Sequence, residues 1–181
     1  MNAVKLLGFT IDRHFTGAQH MDAITKKCQG LLGVLQRAAV CLPRELLRLA
    51  YISLIRTHLE FASAVFAPYA KSQLDRLDVI QRIAARVILG QPSDAHAAPL
   101  LESLQLPPLE SRRRDHVVDL VEKALAGAIH PALADYFSVD GRGRVTGGNE
   151  ARIGAGRKRF RYLATLTFNE HRTTDLTINL P

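Results

Sequence analysis

The stretch Thr57–Gly90 constrains this chain more than any other. Pro68 disfavours helical geometry at Ala67, so a helix arriving from the N-terminal side must stop there. From Ser72 the pattern turns helical again. Leu77, Ile80, Ala84, Val87 and Ile88 recur at steps of three and four and make one apolar stripe, while Arg76, Asp78, Arg82 and Arg86 fall off it. Gly90 and then Pro92 supply the stop. The stretch predicts helix, short elbow, helix, and so a chain built by packing helices on one another.

The same periodicity recurs on either side. Gly17 precedes a helical pattern to about Val40, with Met21, Ile24, Cys28, Leu31, Leu32 and Leu35 on one side and Lys26, Lys27, Gln36 and Arg37 on the other. Pro43 suits the first position of a second helix. There Leu46, Leu47, Ala50, Tyr51, Leu54, Ile55, Phe61 and Val65 are apolar on more than one side. That predicts a central helix covered on several faces, with Leu54 at its middle. Residues 71–89 make a third long helix and Ala97–Leu104 a short one before Pro107-Pro108. Leu109–Ala126 makes a fourth long one, with Val117, Leu120, Val121, Ala124 and Leu125 inward. Ahead of them all, Val4, Leu6, Leu7, Phe9 and Ile11 suggest one short strand interrupted at Gly8. The expected fold is mainly α: a helical bundle of about four long helices, with a short N-terminal strand and a loose basic C-terminal region.

Charge is spread unevenly. Asp140–Arg161 holds seven basic residues against two acids, +5 of the chain's net +7, and six of its twelve glycines. Such a segment cannot bury enough apolar surface to fold by itself. A basic excess favours a polyanionic partner, nucleic acid before acidic membrane, although a merely basic protein fits the composition equally well. Cys28 and Cys41 lie in helical pattern with no Cys or His at metal spacing, and read as core residues in a reducing compartment. No apolar run reaches transmembrane length and no signal-peptide core begins the chain. An intracellular protein, in nucleus or cytoplasm, with no membrane partner is expected.

Several of these residues also carry a resemblance. HLEFASAVFAPY (His58–Tyr69), followed by QRIAARVILG (Gln81–Gly90), resembles the H-L-E-Y-A-S-x-V-W-x-P-Y and Q-R-x-A-x-R-x-I-x-G runs beyond the palm of reverse transcriptases from non-LTR (LINE-type, jockey-like) retrotransposons. Val4–Asp12 resembles that family's V-K-Y-L-G-V-x-L-D, the strand that ends the palm and holds the primer end. His20–Lys27 with Leu32-Gly33-Val34-Leu35 resembles H-I-D-x-I-x-K-K…L-G-x-L. Leu104–Arg113 resembles L-x-L-P-P-L-x-x-R-R, and Asn179-Leu180-Pro181 the closing N-x-L-P. Phe66 stands where the family has Trp, and the likeness fades between about Val139 and Phe160. The family's catalytic aspartate pair has no counterpart, since the chain has no Asp-Asp dipeptide.

The resemblance therefore implies a non-catalytic fragment of an RNA-directed DNA polymerase. Residues 1–15 would be the palm-end strand remnant, 16–138 a helical thumb-like domain, and 139–181 a Gly/Arg-rich, flexible region. Its partners would be an RNA/DNA duplex and the missing palm and fingers. A thumb grips a duplex through phosphates, without reading sequence. The candidate contacts are Lys26 and Lys27, Arg76, Arg82 and Arg86 along the third helix, and Arg112, Arg113 and Arg114. Their alternative is a solvated face, with Asp75 and Asp78 as partners for the third-helix arginines. A free-standing helical RNA- or protein-binding module, or a degenerate fragment without activity, also fits.

Catalytic and cofactor patterns are absent. Asp12 has no neighbouring carboxylate for a metal and reads as a turn or cap residue. His58 and Glu60 are two apart and share no helical face, so a hydrogen-bonded structural pair fits them better than a catalytic dyad. There is no nucleophile elbow, and Gly154-Ala155-Gly156 lacks the third glycine of a dinucleotide fingerprint. No catalytic residue, metal or cofactor is expected.

Overall fold

Helices dominate the structure, a computed structural model that describes residues 3–14, 16–66, 70–131, 137–139, 145–147 and 164–171. The chain divides into two units: 1–62 with 69–112, and 63–68 with 113–181.

The first unit opens with a hairpin where one strand was expected. β1 (Ala3–Leu6) pairs antiparallel with β2 (Phe9–Asp12), Leu6 opposite Phe9 and Ala3 opposite Asp12. Leu7 and Gly8 turn the chain, with φ of 48° and 87°. Positive φ at both central residues is the type I′ turn that suits strand twist, so Gly8 is a reversal and not an interruption.

A loop then leads into α1 (Ala18–Ala38). Asp12 shapes it. Its buried carboxylate accepts the backbone N–H groups of His14 and Thr16 at 3.0 Å and of Gly17 at 2.6 Å, and the Thr16 hydroxyl at 3.0 Å. Burial raises the Asp12 pKa, but those bonds outweigh it and leave the group below its ordinary value. On α1, Met21, Ile24, Cys28, Leu32 and Leu35 are buried, as their spacing predicts. Burial pushes the Cys28 thiol up to about 11, so it stays protonated in the core. Cys41, also expected in the core, lies exposed in the turn after α1.

The run from Arg44 to Glu60 departs most from expectation. It is α2 (Arg44–Ala50), a π turn (Tyr51–Arg56) and α3 (Thr57–Glu60), with αR geometry at both joints. Its fully buried residues are Leu47, Tyr51, Ile55 and Leu59, at strict steps of four. An α-helix would turn such a stripe by about 40° per step and carry Leu59 off the core. The π turn, which closes one residue later than an α turn, absorbs the surplus. Leu54 is 51% exposed, and Leu46 and Leu49 are exposed beside it. The helix is thus not wrapped on several faces. One stripe faces the core, and the other apolar residues face water. It also ends earlier than expected, at Phe61-Ala62, where Ala62 takes a φ of 56°, with the short α4 (Ser63–Phe66) following.

α5 (Lys71–Leu89) runs where predicted, and Gly90 (φ 61°) closes it, the N–H of Gln91 returning to the Arg86 carbonyl. α1 packs on α5, where Leu77, Ile80, Ala84, Ala85 and Ile88 are buried. The buried Gln81 interrupts that stripe usefully. Its amide donates to the Pro107 carbonyl at 3.0 Å and accepts from the Leu109 N–H at 3.2 Å. It thereby pins the Pro107-Pro108 turn between α6 (Ala97–Ser103) and α7 (Leu109–Leu125).

In the second unit, Val117, Val118, Val121 and Ala124 of α7 form a core with Phe137 and with Ala164 and Phe168 of a helical segment at 164–171. Leu125, expected inward, is exposed. β3 (Phe137–Val139) pairs antiparallel with β4 (Val145–Gly147), two strands in a region read as loose. The rest of the Gly/Arg-rich stretch, with its expected flexibility, lies outside the described residues, as do 67–69 and the closing Asn-Leu-Pro. Mainly α is the architecture found; α1, α5 and α7 are long, and the remaining helix of the expected four is segmented.

Candidate nucleic-acid interface

A phosphate contact needs a cation at the surface whose donors are not spent internally. The eight candidate residues divide sharply on that test. Lys26 and Lys27 are exposed on α1. Arg76 is exposed on α5 and donates to Asp22 of α1 at 2.7 Å, a pair in which both partners are wet. Arg82 is exposed, with Nε 3.4 Å from the Asp78 carbonyl of its own helix. Arg114 is exposed in the second unit.

The other three are engaged in structure. Arg86 is half-buried and donates Nε to the Ala95 carbonyl at 2.9 Å, closing the loop after α5. Arg113 is 5% exposed. Arg112 forks onto the Glu60 carboxylate through Nε and through a second bond at 2.8 Å, while Arg56 approaches the same carboxylate at 3.6 Å. Glu60, expected beside His58, is thus the centre of an arginine–carboxylate–arginine group tying α3 to the start of α7. Burial first, and then the Lys27 charge, hold the His58 imidazole below its ordinary pKa.

The first unit therefore presents Lys26, Lys27, Arg76 and Arg82 to solvent from two helices that pack together. Three acids, Asp22, Asp75 and Asp78, lie among them.

Sequence reasoning missed Glu60 as a hub and Gln81 as a staple. Gln81 had a signal: a lone amide on an otherwise apolar stripe. Glu60 had only half of one: Arg56 stands four residues before it, but Arg112 is 52 residues away. A third polar pair, Ser63 with its hydroxyl 2.6 Å from His116 Nδ1, lies in the second unit. Ser63 is buried and closed to a substrate, so the pair reads as a hydrogen bond between α4 and α7 rather than as a nucleophile and base. Among the described residues, no group of three His, Cys, Asp or Glu side chains could hold a metal ion, and no helix is long and apolar enough to cross a membrane. No family model, no curated protein and no solved structure matches the chain.

Proposed function

We propose that this chain is the thumb-like, non-catalytic portion of a non-LTR retrotransposon reverse transcriptase, contributing weak, sequence-independent grip on a primer–template duplex. The observation that carries the reading is the ordered resemblance along the sequence, to which the exposed α1–α5 cations supply a chemistry. Other polar residues of the resembling runs do internal work: Asp12 shapes a loop, Gln81 staples a turn and Glu60 binds Arg112. Those runs then mark a scaffold, and Lys26, Lys27, Arg76 and Arg82 mark the contact.

The test is the salt dependence of duplex binding by the full chain with Arg142, Arg144, Arg152, Arg157, Lys158, Arg159 and Arg161 replaced by Gln, so that this stretch cannot bind on charge alone. Four phosphate contacts give a log–log slope of roughly −3 to −4. Arg82→Ala should flatten it by about one unit, and Lys26→Ala with Lys27→Ala by up to about two. The same protein should incorporate no nucleotide on a primed RNA template with magnesium. An unchanged slope in both variants would sink the interface. Incorporation above a heat-killed control would sink the fragment reading.

A further inference from the structure

The hairpin has one closed edge and one open edge. The N–H of Thr10 leaves the hairpin and donates to His20 Nδ1 on α1 at 3.3 Å. His20 is buried, with its ring 3.9 Å from that of Phe9, so the β2 edge is sealed against α1. That bond also sets the phase of the ladder. Backbone groups of directly opposed residues point both inward or both outward, alternating along the pair. Thr10 points outward, and its partner is Lys5. Lys5 therefore aims its N–H and C=O away from β2, and so does Ala3, two residues on. Among the described residues, nothing in the chain pairs with that edge.

Side chains on the same strand are arranged for company. Val4 and Leu6 share a face with their partners Ile11 and Phe9. Phe9 is buried, yet Val4 and Leu6 are largely exposed, and Leu7 at the tip is 89% exposed. Leu7 also holds a φ of 48°, a left-handed geometry that costs a side-chain-bearing residue roughly 1–2 kcal/mol. A strained leucine in water returns nothing to this chain's own core. Of the devices that usually blunt an edge, β1 lacks proline and a bulge; it is short, at four residues, and a single lysine stands on its other face.

We propose that β1 is a docking edge for an extended segment of another polypeptide, which adds as a third strand and alternates apolar with acidic residues. Its N–H and C=O groups would bond Ala3 and Lys5. Its apolar residues would continue the row of Ile11 with Val4 and of Phe9 with Leu6. Its acid would face the Lys5 ammonium on the opposite side. The inference needs none of the cations of the proposed nucleic-acid contact.

The test uses the full chain and a blocked peptide, Val-Glu-Val-Glu-Val, titrated to millimolar concentration while backbone amides are followed by NMR. The amides of Ala3 and Lys5 should shift and gain exchange protection, and that of Thr10 should not. Lys5→Ala, which keeps the N–H, should still show the Ala3 shift. Lys5→Pro, which removes only an outward donor, should abolish it. Val4→Thr with Leu6→Thr leaves two strand-forming residues at exposed positions, and should weaken the peptide about tenfold even if the proline variant fails to fold. A Val-Lys-Val-Lys-Val peptide should bind less than the acidic one. Unmoved Ala3 and Lys5 amides, equal binding by the threonine variant, or shifts produced by duplex DNA but not by the peptide would each overturn the proposal.

Discussion

Glu60 and Arg112 should be coupled strongly enough to measure. Their side chains are 14% and 28% exposed, joined by two charge-assisted bonds, with Arg56 on the same carboxylate. A fully buried pair broken from one side costs about 3–5 kcal/mol, and an exposed pair about 0–1. This geometry lies between, and a coupling of about 1.5–2.5 kcal/mol follows. The two single changes are not equivalent. Glu60→Gln removes the carboxylate charge that both guanidinium groups approach, whereas Arg112→Met leaves Glu60 still near Arg56. Glu60→Gln should therefore cost more, about 2–3 kcal/mol against about 1–2, and the double variant should lose less than their sum. The assay is urea unfolding followed by helical circular dichroism for the four proteins of the cycle, at low salt and in high NaCl. Arg76–Asp22, with both side chains about half-exposed or more, is the internal reference, and its coupling should vanish in salt. A Glu60–Arg112 coupling below about 0.5 kcal/mol would mean the fork is only another surface pair.

Two further outcomes follow from the core and the loop. Leu59→Ala should cost about 2–5 kcal/mol and Leu54→Ala under about 1, since the first is wholly buried and the second half in water; equal denaturant midpoints would refute the assigned face. Asp12→Ala removes the acceptor for three backbone N–H groups and should cost about 1–2 kcal/mol in thermal or urea unfolding. The folded Asp12 pKa is depressed, so its charge stabilises the fold above the ordinary carboxylate pKa, and that contribution is lost as pH falls through the lower folded value. Asp12→Asn should flatten the acid limb of a stability–pH curve, and an acid limb of unchanged steepness would count against the account.

Where one face was apolar and the other charged, the sequence could be read directly. α1 and α5 lie where their stripes predicted, and Gly90 ends α5 as a left-handed glycine should. Where a segment was apolar all round, pattern could not say which face is the core. Leu46, Leu49 and Leu54 are as apolar as Leu47 and Ile55, and only tertiary packing separates them. The four-residue spacing from Leu47 to Leu59 was the available clue to the π turn. The hairpin was obscured because its turn begins with leucine, a residue that seldom takes positive φ. At the candidate interface, residue type selected eight cations, but which of them are free depended on partners far along the chain. Arg112 belongs to Glu60 and Arg86 to the Ala95 carbonyl, whereas Arg76, though paired with Asp22, keeps both partners in water.

The π turn has a consequence for how the chain tolerates changes of length. Leu47 and Leu59 are twelve residues apart, and a plain α-helix would set them ~120° from one another. Eleven residues apart they would differ by only ~20°. The helix thus carries one residue of slack, stored between Tyr51 and Arg56. Removing a single residue there, the exposed Ser53 for instance, lets the turn revert to α geometry while Leu47 keeps its place and Glu60 still meets Arg112. The same deletion inside α1 or α5 has no slack to draw on. It would swing everything beyond it by ~100° and pull the buried stripe off its neighbour.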